Sequence, residues 1–496
     1  MRIVSKNDDE IIILALPSED VKKGDYLLIE DPNVKKEMIV QVYDETYLDS
    51  NNFLEDIVRD EVIKSSTPSI ENDPLEIGTL SYMLMDLRFL KCKIRGCFEN
   101  GAFVPSINWL PSRASSKIKT ITVNELYSKV LGKMDLNIVI GQTLDDQPYS
   151  ISLHNLDGQL NIITGRKESG KSHLSKLLVS KLAENGAYII VFDINNEYGG
   201  IGKRRDGGEN EVSKKILTLR PGENFTFSIK YVGRRTLINI LENVLDTPGV
   251  TLREFIRILD DLESKGCLTL KALGETIQTW KCNEFVRDAM LTRYYSLLAS
   301  KLFTDSIEDS FKFEDAFNHF KEGLVMIIQL GNKPPIARRI VVEAVLNKIC
   351  DLLESNKIPP TFLFAEEAHL YLRETYWDDL ITRMRHYGVF TTFITNQPDA
   401  IPVGIYRQAD NIFLFNFINS NDLEMVSKAS MVDVETVKSL VRTLPPRHCL
   451  VIGKVAGNLP CLIKVASPNF QALGETKRFF KTRVQYIETL ANRFEH

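Results

Sequence analysis

The chain has 496 residues, 44% of them hydrophobic and 26% charged, with a formal net charge of −5. That length holds two or three domains with full-size cores, and the composition is that of a soluble globular protein. The negative balance excludes a protein that coats nucleic acid with its whole surface, so any such contact must come from a local basic lining. The seven cysteines are scattered and odd in number, and Cys92 and Cys97 lack a second pair at zinc-finger spacing. They read as free thiols in a reducing compartment. The longest apolar runs, such as residues 324–330, are too short to span a bilayer, and no signal peptide pattern opens the chain. A cytoplasmic location without a membrane partner is the expectation.

Residues 1–130 carry short strand-like runs at 10–16, 25–30, 36–44, 90–98 and 118–123. This spacing predicts a small β-barrel with a role in assembly or docking. Residues 50–74 are acidic and polar and read as a loop or helical excursion. From about residue 131 the pattern changes to apolar strands alternating with helices, the mark of a mostly parallel α/β sheet. The strand candidates are 160–165, 187–193, 323–330, 361–365, 389–395 and 411–415, with a strand pair at 449–454 and 462–466. Residues 232–320 exceed a single crossover and read as an inserted helical subdomain. The ATPase domain is thus expected over 131–470. Residues 471–496 form the tail, where Phe479, Phe480, Val484, Ile487, Leu490 and Phe494 fall at helical spacing, so a terminal amphipathic brace helix is predicted.

The chemistry begins at Gly165-Arg166-Lys167-Glu168-Ser169-Gly170-Lys171-Ser172-His173, between a buried strand and a helix running to about Glu184. It fits the phosphate-binding P-loop pattern. Glycines let the backbone turn tightly and bring successive N–H groups to phosphate oxygens, and the helix N-terminus adds partial positive charge. Lys171 is expected to reach the β- and γ-phosphates and Ser172 to ligate Mg²⁺, so ATP and Mg²⁺ are the expected cofactors.

A second motif, Glu366-Glu367-Ala368-His369, ends an apolar strand. The first acid of such a pair holds Mg²⁺ directly or through water, and the second acts as general base toward the attacking water. The first acid is usually Asp, and Glu366 departs from that. Asp193, at the end of another strand, opens Asp193-Ile-Asn-Asn-Glu197-Tyr198. It reads either as a carboxylate reaching the Mg²⁺ water shell or as a strand-end turn residue.

The order P-loop, Asp193…Glu197-Tyr198, Glu366-Glu367-Ala368-His369, Arg385-His386-Tyr387-Gly388, Thr395-Asn396-Gln397-Pro398 resembles the HerA family of archaeal and bacterial DNA-translocating ATPases. These belong with the FtsK-like ring motors of the RecA-like (ASCE) division. The motifs cover about residues 135–470, and the N-terminal barrel matches by architecture. His386 replaces a lysine of the family pattern, and Gln159-Leu160 stands where the family usually has Arg-His. The departures mark a diverged member, for instance a paralogue.

The resemblance implies a homohexamer with nucleotide between subunits, completed by a neighbour's arginine. Arg385 matches that position, with Arg383 the nearby alternative. Asn396 takes the sensor role in gapless register, with Gln397 as the alternative. The family also implies duplex or single-stranded DNA threading a central channel and a NurA-like nuclease partner in end resection. Some bacterial relatives pair with sirtuin-like or nuclease effectors in antiviral defence. The loop after Tyr198 carries Lys203-Arg204-Arg205 between glycines. It reads as a mobile phosphate-contacting loop lining the channel, or else as a solvated turn. Two other readings compete with the translocase: a ring scaffold for a nuclease or other effector, and a conjugation or packaging ATPase.

Overall fold

A computed structural model of the chain describes residues 1–47, 86–106, 108–132, 135–371, 377–417, 419–429, 432–471 and 473–474. The polar stretch 50–74 and the predicted brace helix at 475–495 lie outside the described residues. The chain forms two compact units. One consists of Met1–Lys171 with Asn396–Ala466, and the other of Ser172–Thr395 with the described residues after Ala466.

The first unit begins with seven strands: β1 (Arg2–Asn7), β2 (Glu10–Ala15), β3 (Tyr26–Asp31), β4 (Lys36–Tyr47), β5 (Arg88–Glu99), β6 (Ala102–Val104) and β7 (Lys117–Ile121). They form an antiparallel sheet in the order β1-β2-β5-β4-β3-β7, with β6 paired to β5. Along β2, Ile11 and Ile13 are fully buried while the alternate residues are partly exposed, the period of two that gives a sheet one apolar face. Ile11, Ile13, Leu27, Ile29, Val40 and Leu90 gather in one core. Bulges in the β4–β5 pairing at Ile39/Val40 and Val42/Asp44 bend the sheet. The arrangement is that of a small barrel.

The predicted strand at 118–123 stops at Ile121, and helix α1 (Val123–Leu131) follows. Thr122 caps that helix by accepting from the Glu125 amide at 3.3 Å. Thr-x-x-Glu is a capping-box pattern, a helix signal the strand reading passed over.

The chain continues through the hairpin β8 (Asn137–Thr143) and β9 (Pro148–Ser152) to β10 (Asn161–Thr164). Helix α2 (Lys171–Glu184) then carries it into the second unit. Leu174, Leu177, Leu178 and Leu182 are buried along one helix face. Gly186, at φ 82°, ends the helical stretch where a left-handed residue is needed.

The second unit holds β11 (Tyr188–Asp193), β12 (Ile216–Leu219), the short pair β13 (Phe227–Ser228) and β14 (Phe303–Thr304), and then β15 (Leu324–Gln329), β16 (Thr361–Glu366) and β17 (Val389–Thr395). All the pairings among β12, β15, β11, β16 and β17, in that order, are parallel. Ile189, Ile190, Val191 and Phe192 are all buried, as expected of a parallel strand covered on both faces. β12 was not legible in sequence: it has four residues, most of them only half-buried. Residues 234–319 are chiefly helical, with α3 (Gly249–Ser264), α4 (Leu270–Thr279) and α5 (Glu284–Ser300). Helix α6 (Pro335–Glu354) and helix α7 (Trp377–Tyr387) flank β16 in sequence.

The chain returns to the first unit through β18 (Asn411–Phe415), which runs parallel to β10. Helix α8 (Val434–Val441), β19 (His448–Gly453) and β20 (Cys461–Val465) follow. β19, β20, β8 and β9 extend this sheet antiparallel. The barrel is fastened here by buried hydrogen bonds. Tyr26 and Gln41 both donate to the Pro460 carbonyl, at 2.7 and 2.8 Å, and Tyr127 donates to Leu459 O at 3.0 Å. Arg95 contacts Asp433 and Thr436 at the start of α8, both at 2.9 Å. Burial would raise the Asp433 carboxyl, but the Arg95 charge and the Thr436 hydrogen bonds outweigh it and leave it below the usual range.

Candidate active site

In the first unit, the glycine loop leaves β10 at Gly165. Gly165 and Gly170 sit at φ 154° and 120°, and Glu168 is at 62°. A Cβ on Gly165 would stand 2.4 Å from Phe415 Cβ, so only glycine fits against β18. Residues distant in sequence hold the loop's shape. Arg166 N donates to Asn416 O at 2.9 Å, and Arg447 N donates to Ser169 O at 2.8 Å. The side chains of Arg166, Lys167 and Glu168 are exposed, whereas Ser169 and Lys171 are buried. Lys171 Nζ donates to Arg166 O at 2.9 Å, so the ammonium lies across its own loop. Among the described residues no group satisfies the buried Ser169 hydroxyl. A buried hydroxyl in need of a partner and a loop only glycine can line fit a phosphate chain.

In the second unit, Ser172 and His173 open α2 half-buried. The same helix supplies Ser175 and Lys176 to a buried polar network at the ends of β11 and β16. The Tyr198 hydroxyl donates to Glu366 Oε1 at 2.9 Å and lies 2.6 Å from Ser175 Oγ. Lys176 pairs with Glu197 at 2.7 Å and donates to Leu473 O at 2.8 Å. Glu366 is 1% exposed. Burial, reinforced by the charge of Glu197, pushes its carboxyl up to about 7 despite the Tyr198 hydrogen bond.

Asp193 is fully buried, and its two carboxylate oxygens accept from the Glu197 and Tyr198 amides at 3.0 Å each. It thereby holds the Glu197-Tyr198 turn, and burial raises its carboxyl. Of the two readings open in the sequence, the turn role is the one these contacts describe.

Glu367 follows at φ 48°, ψ 48°, a left-handed conformation that is costly for a side-chain-bearing residue. His369 Nδ1 lies 3.4 Å from Glu367 Oε2 and 3.0 Å from Thr395 Oγ1, at the end of β17. Asn396 comes next in the chain and is half-buried, while Gln397 is exposed. On α7, Ile381 and Met384 face inward and Arg383 and Arg385 are exposed. The sequence reading missed Ser175, Lys176, Tyr198 as a carboxylate partner, and the His369–Thr395 contact. The available signals were the tyrosine and histidine inside the quoted motifs.

Lys203-Arg204-Arg205 does not form an open glycine loop. Arg204 N donates to Gly208 O at 2.6 Å and Asn210 N to Gly202 O at 3.1 Å, closing a tight turn with Lys203 opposite Glu209. Phe470 pairs with Arg204 from the other side, and Gln471 N donates to Lys203 O. Of the two readings open in the sequence, these contacts describe a hydrogen-bonded turn. All three cations are exposed.

Among the described residues, no cluster of three His, Cys, Asp or Glu side chains is arranged to hold a metal ion. Mg²⁺ in phosphate chemistry is commonly held by one or two protein oxygens together with the phosphates, and Ser172 and Glu366 carry oxygens of that type.

A glycine loop between a parallel strand and a helix, with strand-end acids in the same chain, defines a P-loop ATPase. The family model described as "Helicase HerA, central domain" matches residues 138–349. A DNA double-strand break repair helicase HerA from Saccharolobus solfataricus is 22% identical over 484 residues, covering 91% of this chain and 89% of that one. Its counterpart from Sulfolobus acidocaldarius is 23% identical over 474 residues, covering 91% and 90%. A probable helicase of Methanocaldococcus jannaschii is 22% identical over 92% of this chain. Among solved structures, the bacterial conjugative coupling protein TrwB, lacking its first 70 residues, shares the fold. Its TM-score is 0.51 at 13% identity, over 72% of this chain and 94% of that one. The chain is thus similar to the HerA helicases, through a family model over less than half of its length and relatives 22–23% identical to it.

Proposed function

We propose that this chain is an ATP-driven DNA translocase of the HerA kind, working as a homohexameric ring in the cytoplasm with a NurA-like nuclease in DNA end resection. The observation that carries the reading is one chain holding both a glycine-lined phosphate loop and the strand-end pair Glu366-Glu367. The main-chain amides of Gly165–His173 bind the phosphates, and Lys171 neutralises the β- and γ-oxygens. Ser172 and Glu366 hold Mg²⁺, with Asp193 keeping the neighbouring turn in place. Bound Mg²⁺ supplies charge neutralisation to the leaving and transferred phosphates. Glu367 accepts the proton of the attacking water. Asn396, or Gln397 beside it, orients that water. Arg385 of a neighbouring subunit, or Arg383 on the same helix, stabilises charge in the transition state.

DNA passes through the channel against Lys203, Arg204 and Arg205. The support is their joint exposure on a turn closed by backbone hydrogen bonds. The test is ATPase rate and DNA affinity across a salt titration, with wild type and a variant carrying glutamine at all three positions. The expected result is DNA-stimulated hydrolysis in wild type. The variant should show a shallower salt dependence, since up to about three fewer phosphates are neutralised. Equal slopes and affinities would move the DNA site elsewhere. An ATPase indifferent to DNA, with no DNA affinity at low salt, would contradict the translocase reading and favour a ring scaffold.

A further inference from the structure

We propose that Tyr198 is a positioning residue for the carboxylate with which Glu366 holds Mg²⁺, and that Ser175 on α2 sets the direction of its hydroxyl. The inference rests on the reading above, in which Ser172 and Glu366 hold Mg²⁺, and adds what orients the acid.

Glu366 is the last residue of β16. Its main chain pairs with Ile394 of β17, and its carbonyl accepts from the Tyr371 hydroxyl at 3.1 Å. Its side chain has one hydrogen bond among the described residues, the 2.9 Å bond that Oε1 accepts from the Tyr198 hydroxyl. Tyr198 is itself anchored through its main chain. Its amide donates to Asp193 Oδ2 at 3.0 Å, and its carbonyl accepts from Ile201 N at 3.1 Å. Asp193 ends β11, and β11 pairs in parallel with β16, Phe192 opposite Ala365. The anchor of Tyr198 and the acid it contacts therefore stand at adjacent strand ends.

A tyrosine hydroxyl has a single proton to give. Here it goes to Glu366, so at the 2.6 Å contact with Ser175 Oγ the serine donates and the tyrosine oxygen accepts. The chain from Ser175 through Tyr198 to Glu366 thus runs in one direction. It is wholly interior, with Ser175 and Tyr198 fully buried and Glu366 nearly so. Each donor in such a chain is polarised by the next, which strengthens both bonds. The last torsion of a glutamate is broad, so packing alone leaves the plane of its carboxylate loosely set. The hydrogen bond to Oε1 sets that plane, and with it the direction of the second oxygen. A carboxylate that holds a metal is commonly steadied by such a partner, whose loss weakens metal binding. Ser175 lies three residues after Ser172 on α2, a spacing that makes the two neighbours on one helix face. The chain therefore joins the helix face carrying the Ser172 oxygen to the strand end carrying Glu366.

The experiment uses the full-length protein and a non-hydrolysable ATP analogue. Its Kd is measured in EDTA and in Mn²⁺, and the EDTA value divided by the Mn²⁺ value reads what the metal adds, independently of turnover. ATPase rates across a Mg²⁺ titration and melting temperatures complete the set. The variants are Tyr198→Phe, Ser175→Ala, the Ser175→Ala/Tyr198→Phe double, and Glu366→Gln as the control for the underlying reading. Tyr198→Phe is expected to lower the Kd ratio by about tenfold or more, with the metal-free Kd changed by less than about twofold. It should need about tenfold more Mg²⁺ for half-maximal hydrolysis and recover toward the wild-type rate at high Mg²⁺. Ser175→Ala should shift both readings in the same direction by less. The double should match Tyr198→Phe, since Ser175 acts through the hydroxyl already removed. It should also melt no lower than Tyr198→Phe, which strands the buried Ser175 hydroxyl. Additive losses in the double would overturn the part given to Ser175. A wild-type ratio and Mg²⁺ requirement in Tyr198→Phe, beside a lowered ratio in Glu366→Gln, would overturn the inference alone. So would a loss that follows the melting temperature and raises the metal-free Kd as much as the Mn²⁺ one, the mark of a packing role. A wild-type ratio in Glu366→Gln would overturn the Mg²⁺ reading beneath it.

Discussion

The glycine loop and the acid network take on their tasks by different physics. The loop works with backbone. Its shape depends on two glycines at φ 154° and 120° and on main-chain hydrogen bonds with Asn416 and Arg447. The network works with side chains drawn from α2, from the turn after β11 and from the end of β16. Its geometry exists only once Tyr198 meets Glu366 at 2.9 Å and Lys176 meets Glu197 at 2.7 Å. Most of what the loop offers is main chain, which no single substitution removes, with Lys171 the charged side chain beside it. The network holds carboxylates whose ionisation is set first by burial and then by neighbours, so it is the region where single substitutions are expected to separate binding from turnover.

The comparison breaks most severely if these two regions suffice for activity. Arg385 is exposed on α7, and the ring reading places it at a neighbour's nucleotide. Arg385→Ala should lower turnover by about a thousandfold, as removal of an arginine finger does. Lys171→Ala should be equally inactive. Mixed rings of the two variants should regain activity, because one kind of interface then pairs an intact loop with an intact arginine. ATPase assays of mixed samples, with subunit exchange followed by mass, decide it. An active monomer, or silent rings shown to be mixed, would leave the loop and the network as the whole site.

A smaller effect sharpens the account of the network. The Glu366 carboxyl is pushed from 4.5 up to about 7 by burial and by Glu197. Between those values the folded protein binds more protons at this site than the unfolded chain, so stability falls as pH rises through the window. A shift of that size corresponds to a few kcal/mol, on the order of 3. Glu366→Gln removes the titration. In Mg²⁺-free buffer, the drop in melting temperature between pH 5 and pH 8 should be smaller in the variant than in wild type. Identical pH dependence would show that the carboxyl is ionised at no such cost. Asp193, which burial also raises, then becomes the group to test.

The two regions were unequally legible in the sequence. The loop and the helix after it were legible in nine contiguous residues, Gly165 to His173, although the hydrogen bonds with Asn416 and Arg447 that hold the loop were not. Glu366 and Glu367 stood out as acids after a run of apolar residues. Their partners did not. Ser175 and Lys176 lie on a helix with nothing to mark them, and Tyr198 meets Glu366 only through parallel strand pairing. Asp193 was seen as a carboxylate at a strand end, but its hydrogen bonds to two amides are a property of the turn it closes. The same limit explains β12, too short to show a period, and the hydrogen-bonded turn at Lys203, whose pairing with Phe470 bridges distant parts of the chain.

The most direct measurement of the central claim is ATP binding and single-turnover hydrolysis by Glu367→Gln beside wild type. The substitution keeps the size of the side chain and removes the base, leaving the glycine loop untouched. The account predicts that the variant binds ATP with affinity within about threefold of wild type and hydrolyses it at least about a hundredfold more slowly, the scale of a lost general base. Hydrolysis at the wild-type rate would contradict it.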